Sequence, residues 1–325
     1  MGAPISGRAG ATPEAWLAHM LRGDYATAWT VSDDILRARG DAPTWHLPRH
    51  LQAVWRGEPL SGKRVLVRCY HGLGDTLQFI RYAPLVAGIA AEVTVWAQPT
   101  LLPLLGTVKG IDRLLPLHDG EPDAVYDVDV ELMELPHVFR TTIDTIPSDV
   151  PYLHVPALRR WTHDFAVGIA WAAGDWDARR SVPFELLEPL ANIAGVSLHV
   201  LQRGPHRGDW RPGFGTLARV HDPHEEAQLM RALDLIISVD SMPAHLAGAL
   251  GVPVWTLLHH EPDWRWMSRG DRSPWYPTMR LFRQPRPGDW EPVIARVAKE
   301  LAHAARVERQ HPRPHARGAL LHCAS

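Results

Sequence analysis

Lysine is almost missing from this chain: Lys63, Lys109 and Lys299 are the only three. Positive charge is therefore carried by arginine, whose planar fork grips two oxygens at once. Net charge is also near zero, with 34 basic against 36 acidic residues and a formal charge of −2. That excludes a protein whose main partner is nucleic acid or an anionic membrane, since either demands a basic surface. A local basic patch, and with it peripheral membrane contact, stays open. The two cysteines, Cys69 and Cys323, stand in no C-x-x-C spacing. They read as reduced thiols, with no disulfide framework or zinc knuckle. No run approaches about 18 apolar residues, so no transmembrane segment is expected. The N-terminus lacks the apolar stretch of a signal peptide, and the expected location is cytoplasmic. Neither G-x-S-x-G nor G-x-x-x-x-G-K-[ST] occurs. The 19 histidines are scattered: His259 and His260 are adjacent and point apart on an extended chain, and His311 and His315 fall in a polar tail. No metal and no resident cofactor are expected.

What is present is enough for two domains. The chain has 325 residues, 46% hydrophobic and 22% charged, which is the balance of a globular protein too long for one ordinary domain. Its 14 tryptophans often fall among His, Arg, Gly and Pro, a mixture suited to loops that hold flat polar ligands or to packing between domains.

Residues 1–12 are Gly/Ala/Pro-rich without periodicity and read as disordered. Helical periodicity follows from 13 to 39, broken at Gly23-Asp24, with Trp16, Met20 and Leu21 on one face and Tyr25, Trp29, Ile35 and Leu36 continuing it. This helical hairpin has the texture of one tetratricopeptide-repeat pair, too few for a solenoid. From 61 the pattern alternates. Strands are expected at 64–70, 92–97, 113–117 and 125–130, and helices at 76–90 and 100–105. A Pro-rich linker, 146–156, interrupts it. The alternation restarts with strands at 166–171, 197–201, 235–239 and 252–258 and helices at 183–193, 225–232, 243–250 and 290–307. A long loop rich in Trp, Pro and Arg covers 259–280. Strand–helix alternation predicts parallel, doubly wound α/β sheets. The expected domains are 1–60 (disordered start and helical prefix), 61–156, 157–307, and a polar tail 308–325.

In open α/β sheets ligands bind beyond the carboxyl ends of strands, so the turns after strands hold the candidates. His71-Gly72-Leu73-Gly74-Asp75 follows the first strand. It is not G-x-G-x-x-G, and Ala97-Gln98 stand where a ribose-binding acid belongs, which argues against a dinucleotide. Asp75 is either a helix cap or a general base for a hydroxyl. Residues 171–181 (WAAGDWDARRS) follow another strand. Gly174 permits a sharp turn, and Arg179 with Arg180 either forks a diphosphate or makes a solvated charged turn. Asp240-Ser241-Met242-Pro243-Ala244-His245 joins a strand to a helix. The free N–H groups of that helix and its dipole suit a phosphate, and Asp240 can accept from sugar hydroxyls. Alternatively Asp240 or Ser241 merely caps the helix and His245 is a core histidine. Finally, Asp263-Trp264-Arg265-Trp266 and Ser273-Pro274-Trp275-Tyr276-Pro277 either wall a base or sugar or simply pack over the second domain.

Taken together, residues 72–83 (GLGDTLQFIRYA), the Trp171–Ser181 turn, Asp240-Ser241 with 244–255 (AHLAGALGVPVW), and the DWRW and WYP segments resemble glycosyltransferase family 9, the ADP-heptose:lipopolysaccharide heptosyltransferases. Within it the match is to the branch often fused to tetratricopeptide repeats, and it covers roughly residues 50–305. The resemblance implies a GT-B fold, two Rossmann-like domains facing a cleft, with the acceptor on 61–156, the donor on 157–307, and the final helix crossing back to the first domain. It implies inversion at the anomeric carbon without a metal, with a nucleotide-sugar, ADP- or UDP-linked, as substrate. The acceptor is a glycan, a protein or a small molecule. Asp75 matches the family's base. Arg180 stands where the family has a lysine that neutralises the leaving phosphate. Asp240 matches the aspartate on the donor sugar, with Ser241 in place of the usual threonine. The implied donor side also takes in Gly72, Gly74, Trp171, Gly174, Arg179, Gln202, Met242, Ala244, His245 and Trp264, and the acceptor side His71 and Gln78. Competing readings are an epimerase or phosphorylase on the same architecture, and a non-catalytic module that only binds carbohydrate or a partner.

Overall fold

The structure, a computed structural model, describes residues 12–40, 44–159 and 164–311. The expectations for residues 1–11, for His315 and Cys323, and for the tail from 312 lie outside these residues. Among the described residues no helix is long and apolar enough to cross a membrane.

The prefix is two helices, α1 (Pro13–Leu21) and α2 (Tyr25–Arg39). The hydroxyl of Thr12 accepts from the Ala15 N–H at 3.2 Å, and Pro13 sits where a missing N–H costs nothing. Asp24 starts α2 in the same way, accepting from the Thr27 N–H at 3.3 Å. Gly23 between them holds φ at 79°, a conformation that glycine adopts freely.

The first domain runs β1 (Arg64–Arg68), α3 (Leu73–Phe79), α4 (Ala83–Ala87), β2 (Glu92–Ala97), α5 (Leu102–Leu105), β3 (Arg113–Pro116), β4 (Val128–Glu131) and α6 (Leu135–Val138). Its sheet is parallel in the order β3-β2-β1-β4. The helix expected over 76–90 begins earlier and is broken by a 3-10 turn at Ile80–Tyr82. Pro84 has no N–H for the Ile80 carbonyl, and its ring crowds that carbonyl. The Pro-rich linker is pinned rather than loose: the N–H groups of Tyr152 and Leu153 both donate to the Ala249 carbonyl.

The second domain runs β5 (Phe165–Ala170), α7 (Glu188–Ala191), β6 (Val196–Val200), β7 (Thr216–Leu217), α8 (Pro223–Met230), β8 (Leu235–Val239), α9 (Met242–Ala249), β9 (Val254–Leu258), β10 (Met279–Arg283) and α10 (Glu291–Gln310). Its parallel sheet has the order β10-β9-β8-β5-β6-β7. The short edge strand β7 and the strand β10 were not expected from the sequence, and β10 takes over the end of the segment read as loop. The tail expected from 308 begins later, because α10 continues to Gln310.

Alternation along β8 explains the two cores. Leu235, Ile237 and Val239 join an apolar cluster with Val293, Ile294, Val297 and Leu301 of α10, whereas Ile236 joins the opposite one. That opposite cluster does not stop at the domain border. It unites the first sheet, α8, α9, the Trp264–Trp275 loop and the prefix. Two expectations about contacts change as a result. The final helix does not cross back: α10 packs on its own domain, through α7 and β10, with Glu300 paired to Arg280 at 3.1 Å. The prefix bridges instead. Trp16 and Tyr25 meet Trp264 at 5.7 and 6.1 Å, and the Ser268 N–H donates to the Leu21 carbonyl at 2.9 Å. On the first domain, Trp29 stacks on His137 and its Nε1 donates to the Thr141 carbonyl at 2.6 Å.

Candidate functional site

Strand order places the sites. In the first sheet the chain reverses direction between β1 and β4, and in the second between β5 and β8. The carboxyl ends flanking these switch points are where a crevice forms. They carry residues 69–75 with Glu131 in one domain, and residues 171–181 with Asp240 in the other. Direct packing of α3 on α9 brings the two sets together.

On the first domain, Gln98 secures the turn. Its Nε2 donates to the carbonyls of Cys69 and His71, at 3.2 and 2.8 Å, and its Oε1 accepts from the Thr76 hydroxyl at 3.0 Å. Asp75 proves to be a cap and more: Oδ2 accepts from the Gly72 N–H at 3.0 Å, while Oδ1 takes Nη2 of Arg265, from the other domain, at 2.8 Å. His71 lies 3.7 Å from Glu131. Burial lowers the His71 pKa and favours the neutral ring. Burial also pushes Glu131 up to about 8, against the pull of the Met133 N–H that its carboxylate accepts.

Two residues of this segment are not placed as expected. Gly74 is not an open approach for a ligand, since a Cβ there would lie 2.9 Å from Cδ2 of His245. Its small size lets α9 come close. Gln78, one turn further along α3, is wholly buried, and neither of its amide atoms has a partner. It is closed off from an acceptor in this conformation.

On the second domain, Asp240 sits at the end of β8, 4% exposed, with Oδ1 3.7 Å from Nε2 of His245. Burial alone would raise its pKa. His245 and the charge of Arg265 outweigh burial and hold Asp240 at about 2. His245 is fixed by the Tyr276 hydroxyl at 3.0 Å and stacks on Trp266. Ser241 precedes α9 without capping it, its hydroxyl donating instead to the Val239 carbonyl at 3.3 Å. With Met242 half-buried and Ala244 fully buried at the helix start, the first turn of α9 has no side-chain cap, as a phosphate-binding helix end requires.

The arginine pair divides. Arg180 turns inward, 8% exposed, and its Nη1 donates to the Asp240 carbonyl at 2.9 Å under the ring of Trp176. Its Nε has no partner. Arg179 turns outward to Asp177 and Glu261 and leaves the pair. Gly174 borders open space. Trp171 is a core residue between Phe184 and Phe214. Gln202 already uses its amide in full: Oε1 accepts from the N–H groups of Trp171 and Ala172, and Nε2 donates to the carbonyls of Ala172 and Arg203. It shapes the turn after β5 and has no bond left for a ligand. Trp264 packs among Trp16, Tyr25, Phe79 and Trp275 as a buried ring of the domain seam.

Sequence reasoning passed over Arg265, Glu131 and Trp176. Arg265 stood inside a segment noted only for its aromatics, and its flanking Trp264 and Trp266 were the available signal that it would be buried. Glu131 ends a strand beside the first switch point. Trp176 is 77% exposed at the rim, unusual for so large an apolar ring. Among the described residues no three His, Cys, Asp or Glu side chains come together to hold an ion. A cavity of about 240 Å³ lies elsewhere, between the prefix and the first domain, beside Trp16, Leu36, Trp55 and His137.

No family model matches the chain. It is 26% identical over 312 residues to protein FlbA of Caulobacter vibrioides, an alignment covering 81% of this chain and 50% of FlbA, so the chain spans about half that relative's length. Among solved structures it resembles a family 9 glycosyltransferase from Veillonella parvula, with a TM-score of 0.57 and 14% identity, covering 77% of this chain and 98% of the other. It resembles E. coli ADP-heptose lipopolysaccharide heptosyltransferase II with a TM-score of 0.53 and 16% identity over 76% and 99% of the two chains. The iron-containing dodecameric glycosyltransferase TibC from enterotoxigenic E. coli also gives 0.53 and 16%, over 73% and 67%. With two parallel α/β domains joined along α3 and α9, the chain has the GT-B fold of these glycosyltransferases.

Proposed function

We propose that this chain is an inverting glycosyltransferase that moves a heptose or hexose from a nucleotide diphosphate donor, ADP- or UDP-linked, to an acceptor hydroxyl without a metal ion. The observation that carries this reading is the meeting of Asp75 from one domain with Arg265, Asp240 and Arg180 from the other. A carboxylate able to take a proton and a cation able to receive a diphosphate, Arg180, thus share one place. Asp75 accepts the proton of the acceptor hydroxyl as its oxygen attacks the anomeric carbon. The bond from that carbon to the diphosphate breaks in the same displacement, so configuration inverts. Negative charge growing on the departing diphosphate is met by Arg180 and the start of α9, and this reading calls on no metal ion for that task. Asp240 receives hydroxyls of the donor sugar. Contact between the domains keeps water from competing as acceptor. The ADP-heptose named for the E. coli relative makes ADP the first nucleotide to try.

The test is a thermal-shift screen with ADP, UDP, GDP and their sugars on wild type and Arg180→Ala. A ligand at 100 times its Kd stabilises the folded state by about 2.7 kcal/mol. Loss of a charged hydrogen bond worth about 1.5–3 kcal/mol should weaken binding roughly 10- to 100-fold in the variant. If no nucleotide shifts the wild type, with or without Mg²⁺, the transferase reading fails and a carbohydrate- or partner-binding role on the same fold takes its place.

A further inference from the structure

Arg265 belongs to the loop between β9 and β10, yet the group it holds most closely is in the other domain. Nη2 meets Oδ1 of Asp75 at 2.8 Å, and Nη1 meets Oδ1 of Asp263 at 3.0 Å. Asp240 is near enough for its charge to act on Arg265 as well. Phe79 and Trp264 flank the guanidinium at 5.7 and 5.4 Å. Its side chain is 8% exposed, against 25% for Asp75, so the cation lies behind the carboxylate and the carboxylate faces outward.

The bonding on Asp75 gives this pairing its meaning. The Gly72 N–H holds Oδ2 and Arg265 holds Oδ1. A carboxylate held at one oxygen can still turn about its last bond; held at both, it keeps one plane. Each oxygen retains a lone pair, so the group stays able to accept a proton. One of the two tethers comes from the donor-side domain, and the carboxylate is therefore fixed only while the two domains are docked.

We propose that Arg265 is a positioning residue for glycosyl transfer: it fixes the plane of Asp75 across the domain seam and makes the base competent only when the second domain is in place. This rests on the transferase reading. It differs from a donor-binding role, which would place Arg265 on the nucleotide, and from a purely structural tie, which would act on stability alone.

The experiment compares Arg265→Gln, Arg265→Lys, Asp75→Asn and the double variant Asp75→Asn/Arg265→Gln with the nucleotide-sugar found in the screen, after thermal unfolding shows which are folded. Misplacing a reacting group by about 1 Å costs roughly 100-fold in rate. Arg265→Gln is therefore expected to lower kcat by about 100-fold while donor KM and the thermal shift induced by the same nucleotide stay within about twofold of wild type. Arg265→Lys, which keeps the charge but not the fork, should recover part of the loss. In the Asp75→Asn background the glutamine should add nothing. Equal losses in both backgrounds overturn the proposal, as does a fall in nucleotide binding that accounts for the fall in kcat. If Arg265→Gln does not fold, the lysine variant alone carries the test, and unchanged kcat there overturns it. If wild type turns over no nucleotide-sugar, the transferase reading has failed by itself. The inference is then judged by a crystal structure of a folded Arg265 variant: Asp75 unchanged in place and plane overturns it, and a rotated carboxylate upholds the positioning.

Discussion

At the scale of single residues, the sequence points to the turns after strands as the places to look, and side-chain type does not say which way each group faces. Arg179 and Arg180 are neighbours in sequence, and only Arg180 reaches Asp240. Asp75 was open between cap and base, and its two oxygens show that the cap contact does not exhaust it. Glu131 supplies a pH prediction. Burial raises it to about 8, so between its unfolded value near 4.5 and that folded value the native state holds more protons than the unfolded one. Stability must then fall as pH rises through this window. One such proton contributes a slope of at most about 1.4 kcal/mol per pH unit. Glu131→Gln cannot titrate, so urea denaturation from pH 5 to 8 should give a shallower decline than wild type. Parallel curves for the two proteins would show that Glu131 is ionised throughout.

At the scale of elements, strands were more legible than helices. A buried parallel strand announces itself as a continuous apolar run, as in Leu235–Val239, which was read to the residue. Helices rich in proline were misread as single pieces, because Pro84 and Pro189 divide them into 3-10 and α segments. Two arginines in the five residues of β10 hid it at the end of a segment read as loop; its place at the sheet edge depends on pairing with β9, which sequence periodicity does not report. The seam between α9 and its neighbours depends on glycine. A Cβ on Gly248 would lie 2.4 Å from Cδ1 of Tyr276, which is fully buried and bonded to His245. Alanine gains about 1 kcal/mol in helix propensity, but overpacking costs about 1–3 kcal/mol, and a buried, bonded ring has little room to yield. Gly248→Ala should therefore lose roughly 1–2 kcal/mol by urea denaturation and, by displacing His245, reduce the nucleotide-induced thermal shift. A variant as stable as wild type would mean that the ring moves freely.

At the scale of the molecule, the helical prefix was expected and its role was not. It touches both domains, through Trp29 on His137 and Thr141 and through Trp16 and Tyr25 on Trp264. Truncating a buried aromatic of this size costs about 3–5 kcal/mol. Trp29→Ala should lower the thermal midpoint clearly and, by freeing one side of the bridge, broaden or split the calorimetric transition into two domain events. A single transition at the wild-type midpoint would show that the prefix merely decorates the fold. The final helix had been given the bridging task. Its apolar stripe fits the second sheet, and Arg309 donates to the Ala194 carbonyl at its far end, so its buried face is spent on its own domain.

The sequence by itself determined that there are two parallel α/β domains and which strand ends carry the candidate site residues, because apolar periodicity and turn residues are local properties written in neighbouring positions. Tertiary structure alone decided that Asp75 meets Arg265, residues 190 positions apart, that Gln202 is used up in shaping a turn, and that Trp171 and Trp264 are packing residues. These depend on strand order and on how α3 lies against α9, and both follow from the fit of whole surfaces rather than from any short stretch of chain.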